Sequence, residues 1–206
     1  MASLDMKRTM KHLYAPSEKT VSVVTAGPLP YLMIDGEGDP NTSDQYVEAV
    51  QALYAVAYAI RFACKAAGDV FTVMPLEGLW TLGRDPDVAF TLTSDDKETF
   101  TWTLMILQPE FVTDAILVSA VATARKKKNP ARLDEVRFEV YDEGEAVQIM
   151  HRGPYAAEGP TVATLHQHIE ENGWSLAGIH HEIYLSDPRR VAPERMRTII
   201  RQPFAR

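Results

Sequence analysis

Apolar and polar positions recur along this chain with two periods, one typical of strands and one typical of helices. Apolar and β-branched runs at Thr20–Ala26 and Tyr31–Gly36 predict two strands that form a hairpin-like pair. A helix is predicted over Asp44–Ala67, with Gly68 as its stop signal. Its apolar residues recur with a period close to 3.6, and they are Val47, Val50, Leu53, Tyr54, Ala57, Tyr58, Ile60 and Cys64.

Three further strands and a second helix follow this first helix. The strands are predicted at Val70–Met74, Leu76–Leu82 and Thr99–Leu107, and the polar clusters at Arg84–Asp87 and Ser94–Asp96 between them predict loops. The second helix is expected over Phe111–Lys128, where Asn129 and Pro130 end it. Residues 1–19 predict a short helix or an arm that leads into the domain.

The same order of elements then occurs a second time. Strands are predicted at Val136–Tyr141 and Ala146–Arg152, a helix at Gly159–Asn172, and strands at Leu176–Leu185 and Arg195–Gln202. The pattern therefore predicts an α+β fold in which two pseudo-symmetric halves form one antiparallel sheet with two helices on one face. We expect a single domain over residues 1–206, with halves at about 18–109 and 133–206 and a helical insertion at about 110–132.

Composition and charge narrow the classes of partner. The formal net charge is −7 and the pI is near 5.4, which argues against direct binding of nucleic acid. The basic run Arg125–Lys128 ends a predicted helix, where cations complement the helix dipole. The single cysteine, Cys64, the lack of a long apolar run and an N-terminus unlike a signal peptide predict a cytoplasmic protein that does not bind membranes.

The segment Gly178–Pro188 carries the densest candidate chemistry. It predicts a strand, and because side chains alternate between strand faces, His180, Glu182 and Tyr184 share one face. His181 lies on the other face among Ile179, Ile183 and Leu185. A buried carboxylate needs a partner such as a cation or a substrate that exchanges protons. The alternative is a solvated strand face.

Several common active-site patterns are absent from the sequence. His180, His181 and Glu182 cannot all point to one face of a strand, and no His-Glu-x-x-His sequence exists, so no metal site is expected. There is no Gly-x-Ser-x-Gly nucleophile motif and no dinucleotide fingerprint. We therefore expect no cofactor.

Four tracts in order resemble the GyrI-like small-molecule-binding domains, which are also the ligand-binding modules of multidrug-responsive transcription activators. The tracts are Tyr31–Asn41, Val73–Trp80, His151–Tyr155 and His181–Pro188. The likeness covers roughly residues 18–204 and is greatest to stand-alone members, which have a helical insertion and no helix-turn-helix region. It implies an aromatic groove with a buried acid, which corresponds to Glu182 here. It also implies bulky, flat, apolar and often cationic ligands.

Aromatic residues of both halves are candidates for the walls of such a groove. Trp80 and Trp102 lie in predicted strands, Tyr54 and Tyr58 share one side of the first helix, and Tyr184 follows Glu182. Their faces suit planar and cationic ligands. The alternative for any single ring is that it fills the core, but as a group with Glu182 the rings favour a site.

Four more residues near the tracts are open to more than one interpretation. Tyr155 either gates the groove, donates a hydrogen bond or packs in a turn, and Glu77 is either a second groove acid or faces solvent. His180 is either a general base or structural. A one-residue shift in register would exchange His180 with His181 at the groove.

Two functions remain open from the sequence. The first is a module that binds hydrophobic or cationic small molecules, as a monomer or a homodimer. The second, implied by the resemblance, is a hydrolase that opens cyclopropane-bearing, DNA-alkylating natural products. In that reaction Glu182 and Tyr155 would be catalytic residues that position water and transfer its proton.

Overall fold

A computed structural model describes residues 3–82 and 99–206 of the chain. The predicted loops at Arg84–Asp87 and Ser94–Asp96 lie outside these residues. Within them the fold is α+β, as predicted: a curled antiparallel sheet is packed with helices. The helices are α1 (Met6–Thr9), α2 (Lys11–Tyr14), α3 (Asp44–Ala67), α4 (Asp114–Lys127) and α5 (Gly159–Glu171). The strands are β1 (Ser22–Ala26), β2 (Leu29–Glu37), β3 (Glu77–Leu82), β4 (Phe100–Leu107), β5 (Arg137–Tyr141), β6 (Gly144–Arg152), β7 (Ser175–Leu176), β8 (His180–Tyr184) and β9 (Arg197–Ala205).

The strand order is β1-β6-β9-β8-β3-β4-β2-β5, and β7 pairs with β9. The first strands of each half thus pair across the halves: β1 pairs with β6, and β2 pairs with β5. The prediction that β1 and β2 form a hairpin-like pair is therefore wrong, because these two strands do not pair with each other. A strand has two edges for hydrogen bonding, and both edges of β2 are occupied, one by β4 and one by β5.

Two predicted strands differ in the structure. Val70–Met74 is not a strand: only Phe71 forms a bridge, to Leu4 of the N-terminal arm. The predicted strand Leu176–Leu185 is divided into β7 and β8. Gly178 lies between them with a φ of +59°, which breaks extended pairing.

Helices α3 and α5, one from each half, lie on the same face of the sheet. Helix α3 packs over β2 and β4, and α5 packs over β6 and β9. The buried residues of α3 are Ala49, Ala52, Leu53, Val56, Ala57, Ile60 and Cys64. This stripe differs from the predicted one, because Val47 and Tyr58 are exposed. By length and composition alone α3 could cross a membrane, but in this fold its buried stripe packs on the sheet.

The opposite face of the sheet carries a buried chain of polar groups. The Tyr14 hydroxyl donates to Glu77, whose other oxygen lies 3.1 Å from His181 Nε2. The other ring nitrogen of His181 contacts Glu143, and Arg201 donates to Glu143 at 2.8 Å. Glu77 is therefore neither a groove acid nor solvent-facing, which corrects both expectations for it.

Candidate functional site

A cavity of about 1610 Å³ opens between α3, the segment before α5 and the centre of the sheet. The sheet contributes to its inner end where β3 and β8 pair, with Gly78 opposite Glu182 and Trp80 opposite His180. Helix α3 forms one wall along much of its length. The volume exceeds that of common ligand pockets, so a bulky molecule fits.

Glu182 lies at the inner end of this cavity and is only 6% exposed. Its Oε2 accepts a 2.8 Å hydrogen bond from the Tyr184 hydroxyl, and its Oε1 lies 3.3 Å from His180 Nε2. Tyr184 in turn accepts a 2.9 Å hydrogen bond from Trp80 Nε1. These bonds fix the direction of the carboxylate. The alternation of side chains predicted this grouping, and a buried carboxylate held in this way still has its charge to balance.

A glycine makes the contact between Trp80 and Tyr184 possible. A Cβ placed on Gly78 would lie 2.7 Å from Trp80 Nε1 and 3.1 Å from the Tyr184 hydroxyl. Any larger residue there would displace one of these side chains. Gly78 therefore contributes to the site by leaving space for the hydrogen bond.

A second acid, Glu158, lies beside Glu182 and lines the same cavity. It is 1% exposed and occupies the position before the first residue of α5. Burial raises its pKa well above its usual range, and the negative charge of the neighbouring Glu182 raises it further, while Thr198 acts in the opposite direction. Glu158 is therefore a neutral acid at pH 7 beside Glu182.

Aromatic rings cover the inner part of the cavity. Tyr46 of α3 stacks on Trp80 with the ring centroids 6.2 Å apart, and Tyr155 meets Tyr184 edge to face at 5.5 Å. Burial raises the pKa of Tyr46 and of Tyr155 well above the usual value, and nearby acids raise it further. Both hydroxyls therefore remain protonated and can donate hydrogen bonds to a ligand.

The outer part of the cavity follows a row of rings on α3. Tyr54, Tyr58 and Phe62 lie one turn apart, with centroid distances of 6.2 Å and 6.4 Å. Tyr58 and Phe62 are 47% and 53% exposed, so these rings present open faces. The Lys127 ammonium lies 5.9 Å from the Phe62 centroid. A flat ligand can therefore extend from the inner acids towards a basic outer end.

The charges of the lining differ between the two ends of the cavity. The acids Glu158 and Glu182 are at the inner end. In the part of the chain that the structure describes, the other charged residues of the lining are Lys7, Lys127, Lys128, Asp187, Arg189 and Arg190. Asp187 pairs with Arg189 at 3.0 Å and Arg190 at 3.7 Å. The described residues of the outer lining thus have an excess of positive charge.

The structure brings six of the eight predicted site residues to the cavity. These are Trp80, Tyr54, Tyr58, Tyr155, Glu182 and Tyr184. Trp102 is 2% exposed and lies outside the lining, where its ring meets Tyr46 edge to face at 5.3 Å. His180 is buried behind Glu182 and also lies outside the lining. Trp102 and His180 thus contact Tyr46 and Glu182 rather than line the cavity, and their direct contact with a ligand stays a prediction.

Sequence reasoning missed Tyr46 and Glu158. Tyr46 precedes Tyr54 by two turns, so an i, i+4 pattern through Val50 could have identified it. Glu158 precedes a helix, where acidic residues are common because they interact favourably with the helix dipole. An acid at this position therefore gives no sequence signal for a role in a site. Among residues 3–82 and 99–206, no group of three His, Cys, Asp or Glu side chains is arranged to hold a metal ion.

The family model described as the GyrI-like small molecule binding domain matches residues 19–204. No curated protein matches the sequence. An uncharacterized conserved protein from Listeria innocua is 39% identical, with a TM-score of 0.89, and the match covers 98% of this chain and 100% of that one.

Two further solved structures extend this comparison. A hydrolase from Listeria innocua is 38% identical, with a TM-score of 0.84 and coverage of 98% of this chain and 100% of that chain. The EcmrR C-terminal domain is 13% identical, with a TM-score of 0.57 and coverage of 91% and 98%. The latter likeness is one of fold alone.

Proposed function

Since the chain belongs to the GyrI-like small molecule binding domain family, we propose that it binds a bulky, flat, amphipathic molecule whose positive or electron-poor end contacts Glu182. The observation that carries this proposal is a carboxylate held by Tyr184 at the inner end of an aromatic-walled cavity. A cation there balances the buried charge and lies against the faces of Trp80 and Tyr46.

A pair of probes with the same fused rings tests the role of charge. Methylacridinium is a permanent cation, and methylanthracene is its neutral analogue. We expect Glu182→Gln to weaken binding of the cation by about tenfold to a hundredfold, since hydrogen bonds and contacts to charged groups contribute about 1.5–3 kcal/mol. Binding of the neutral probe should change little.

The measurement is a titration followed by tryptophan fluorescence, with Glu171→Gln as the control. Glu171 is an exposed acid at the end of α5, so this variant removes the same charge away from the cavity. Equal loss of affinity for both probes in Glu182→Gln would contradict a charge-selective site.

A second candidate function is hydrolysis of a strained electrophile. Two observations favour it: the similarity to a protein described as a hydrolase, at 38% identity over 98% of this chain, and a protonated acid beside a carboxylate at the inner end of the cavity. In this candidate, Glu182 accepts a proton from water, and Tyr155 positions that water or the substrate. The substrate class is cyclopropane-bearing DNA-alkylating natural products, which would be inactivated by addition of one water.

Incubation with a cyclopropane-bearing alkylator, followed by mass spectrometry, tests this candidate. Catalytic gain of one water that is lost in Glu182→Gln is the expected result. A product formed at the same rate without protein, or an unchanged rate in the variant, would contradict this candidate. Only the binding function would then remain.

A further inference from the structure

Among the described residues, Glu158 is the carboxyl group at the inner end of the cavity for which the mechanism above has no role. It lines the cavity with Glu182 and is almost fully buried. Its Oε1 has no hydrogen-bond partner among the residues that the structure describes. A buried acid oxygen without a partner at a ligand cavity leaves one hydrogen-bonding position for the ligand itself.

A capping role does not account for the burial of Glu158. Glu158 occupies the N-cap position of α5, but its side chain forms no capping hydrogen bond. The helix N-terminus favours an ionised acid there, because the dipole is positive at that end. Burial and the neighbouring Glu182 oppose this and keep the acid neutral.

Two neighbouring carboxyl groups in a buried site hold one proton more stably than none or two. Without a proton the like charges repel, and with two protons the Tyr184 hydroxyl donates to a neutral acceptor, which is the weaker bond. The pair Glu158–Glu182 therefore consists of one acid and one base in contact. Such pairs can give and accept a proton in a single reaction.

We propose that Glu158 is a second catalytic residue of this site, the acid that protonates the substrate oxygen while Glu182 accepts the proton of the attacking water. This proposal rests on the hydrolase candidate above. In this proposal, Glu158 lies next to the substrate carbonyl group, and its Oε1 atom contacts the carbonyl oxygen.

The step balances without a co-reactant. The water oxygen forms a bond to the ring carbon, its proton moves to Glu182, and the carbon–carbon bond of the cyclopropane breaks. The electron pair of that bond moves through the conjugated system to the carbonyl oxygen, which takes the proton of Glu158. The proton now on Glu182 passes to the neighbouring Glu158, and the pair returns to its starting state.

The test compares Glu158→Gln with Glu170→Gln, which removes an exposed acid from the same helix. We expect Glu158→Gln to bind the neutral methylanthracene normally and to lower kcat by about a hundredfold to ten-thousandfold, as loss of a general acid does. The wild-type rate should fall at alkaline pH as the pair loses its shared proton, and this alkaline limb should be absent from the residual rate of Glu158→Gln. Glu158→Asp should recover part of the rate.

The outcomes separate the two proposals. Wild-type turnover with an unchanged rate in Glu158→Gln would overturn the role of Glu158 and leave the hydrolase candidate standing. No turnover by the wild-type protein would overturn the hydrolase candidate, and the catalytic role of Glu158 with it. The infrared stretch of a protonated carboxyl group, present at neutral pH and lost in Glu158→Gln, tests the shared proton without any substrate.

Discussion

At the scale of single residues, His181 shows how one strand position serves stability while its neighbour faces the cavity. His181 lies between Glu77 and Glu143, and Arg201 completes the chain of charges on that face of the sheet. Burial alone would lower the pKa of His181, but the charge and hydrogen bond of Glu143, with the bond to Glu77, raise it to about 9. Burial opposes the ionised form of Glu143, but His181 and Arg201 lower its pKa to about 2. Each buried charge thus has an opposite charge in contact.

The raised pKa of His181 predicts a stability that depends on pH. A folded-state pKa of about 9 lies above the ordinary value near 6.5, so the stabilisation is complete below pH 6.5 and is lost as pH rises through 9. We expect the free energy of unfolding to fall by about 3 kcal/mol over this range. Urea unfolding at several pH values measures it.

The variant His181→Gln should be less stable at neutral pH but should lose this slope. His12→Gln, at an exposed histidine of α2, is the control and should keep it. The same slope in both variants would show that another group titrates in this range.

At the scale of elements, α3 serves the core and the cavity with two different stripes. Residues spaced by three and four positions, such as Leu53, Val56 and Ile60, are buried against the sheet. A row spaced by four, from Tyr46 to Phe62, lines the cavity. These two residues are 16 positions apart, so the row extends about 24 Å along the helix. One helix therefore sets both the length of the cavity and its aromatic character.

Tyr46 is the residue of this row whose ring stacks on Trp80 at the inner end of the cavity. We expect Tyr46→Leu to weaken binding of methylacridinium by about twofold to tenfold, because the stacking partner of Trp80 is lost and aromatic pairs contribute about 0.5–1.5 kcal/mol. The fluorescence titration described above measures the change.

Val47→Ala is the matched control, since Val47 is the next residue of α3, is exposed and lies outside the lining. Equal affinity of the wild-type protein and Tyr46→Leu would place the ligand away from this wall.

At the scale of the whole molecule, the charge of the cavity rim differs from that of the chain. The formal net charge is −7, yet the outer lining carries Lys7, Lys127 and Lys128 in addition to the arginines beside Asp187. A ligand with an anionic group at its far end would therefore be attracted to the rim although the protein as a whole repels it. The amphipathic ligand proposed above fits this distribution with its apolar rings between the two charged ends.

Replacement of Lys127, the last residue of α4, and of Lys128, which follows it, tests the role of the basic rim. We expect Lys127→Ala with Lys128→Ala to weaken binding of the anionic anilinonaphthalene sulfonate by about twofold to tenfold, and added salt should reduce the difference. Neutral phenylnaphthylamine has the same rings without the sulfonate, and its binding should not change. Fluorescence enhancement of each probe is the measurement.

Lys126→Ala is the control, since Lys126 is exposed in the same basic run but does not line the cavity. An equal effect of this variant would show that only the overall charge matters.

Most of the order of elements could be predicted from the sequence because it depends on local periodicity, whereas the strand predicted at Val70–Met74 did not form. Alternation in β8 also predicted that His180, Glu182 and Tyr184 share a face, since side chains one position apart in a strand point to opposite sides. The same rule predicted His181 on the other face. These features need only the geometry of a single element.

Pairing and proximity were decided by contacts between residues distant in sequence. β1 pairs with β6 and β2 pairs with β5, each with a strand of the other half. These pairings depend on which strand edges are free in the complete sheet. The contact of Glu158 with Glu182 joins a helix start to a strand, and the fold buries both. Glu77 and Trp102 lie away from the cavity for the same reason, since curvature and packing of the complete sheet determine which buried side chains reach a ligand. Local periodicity thus determined the elements and their faces, and tertiary packing determined the site.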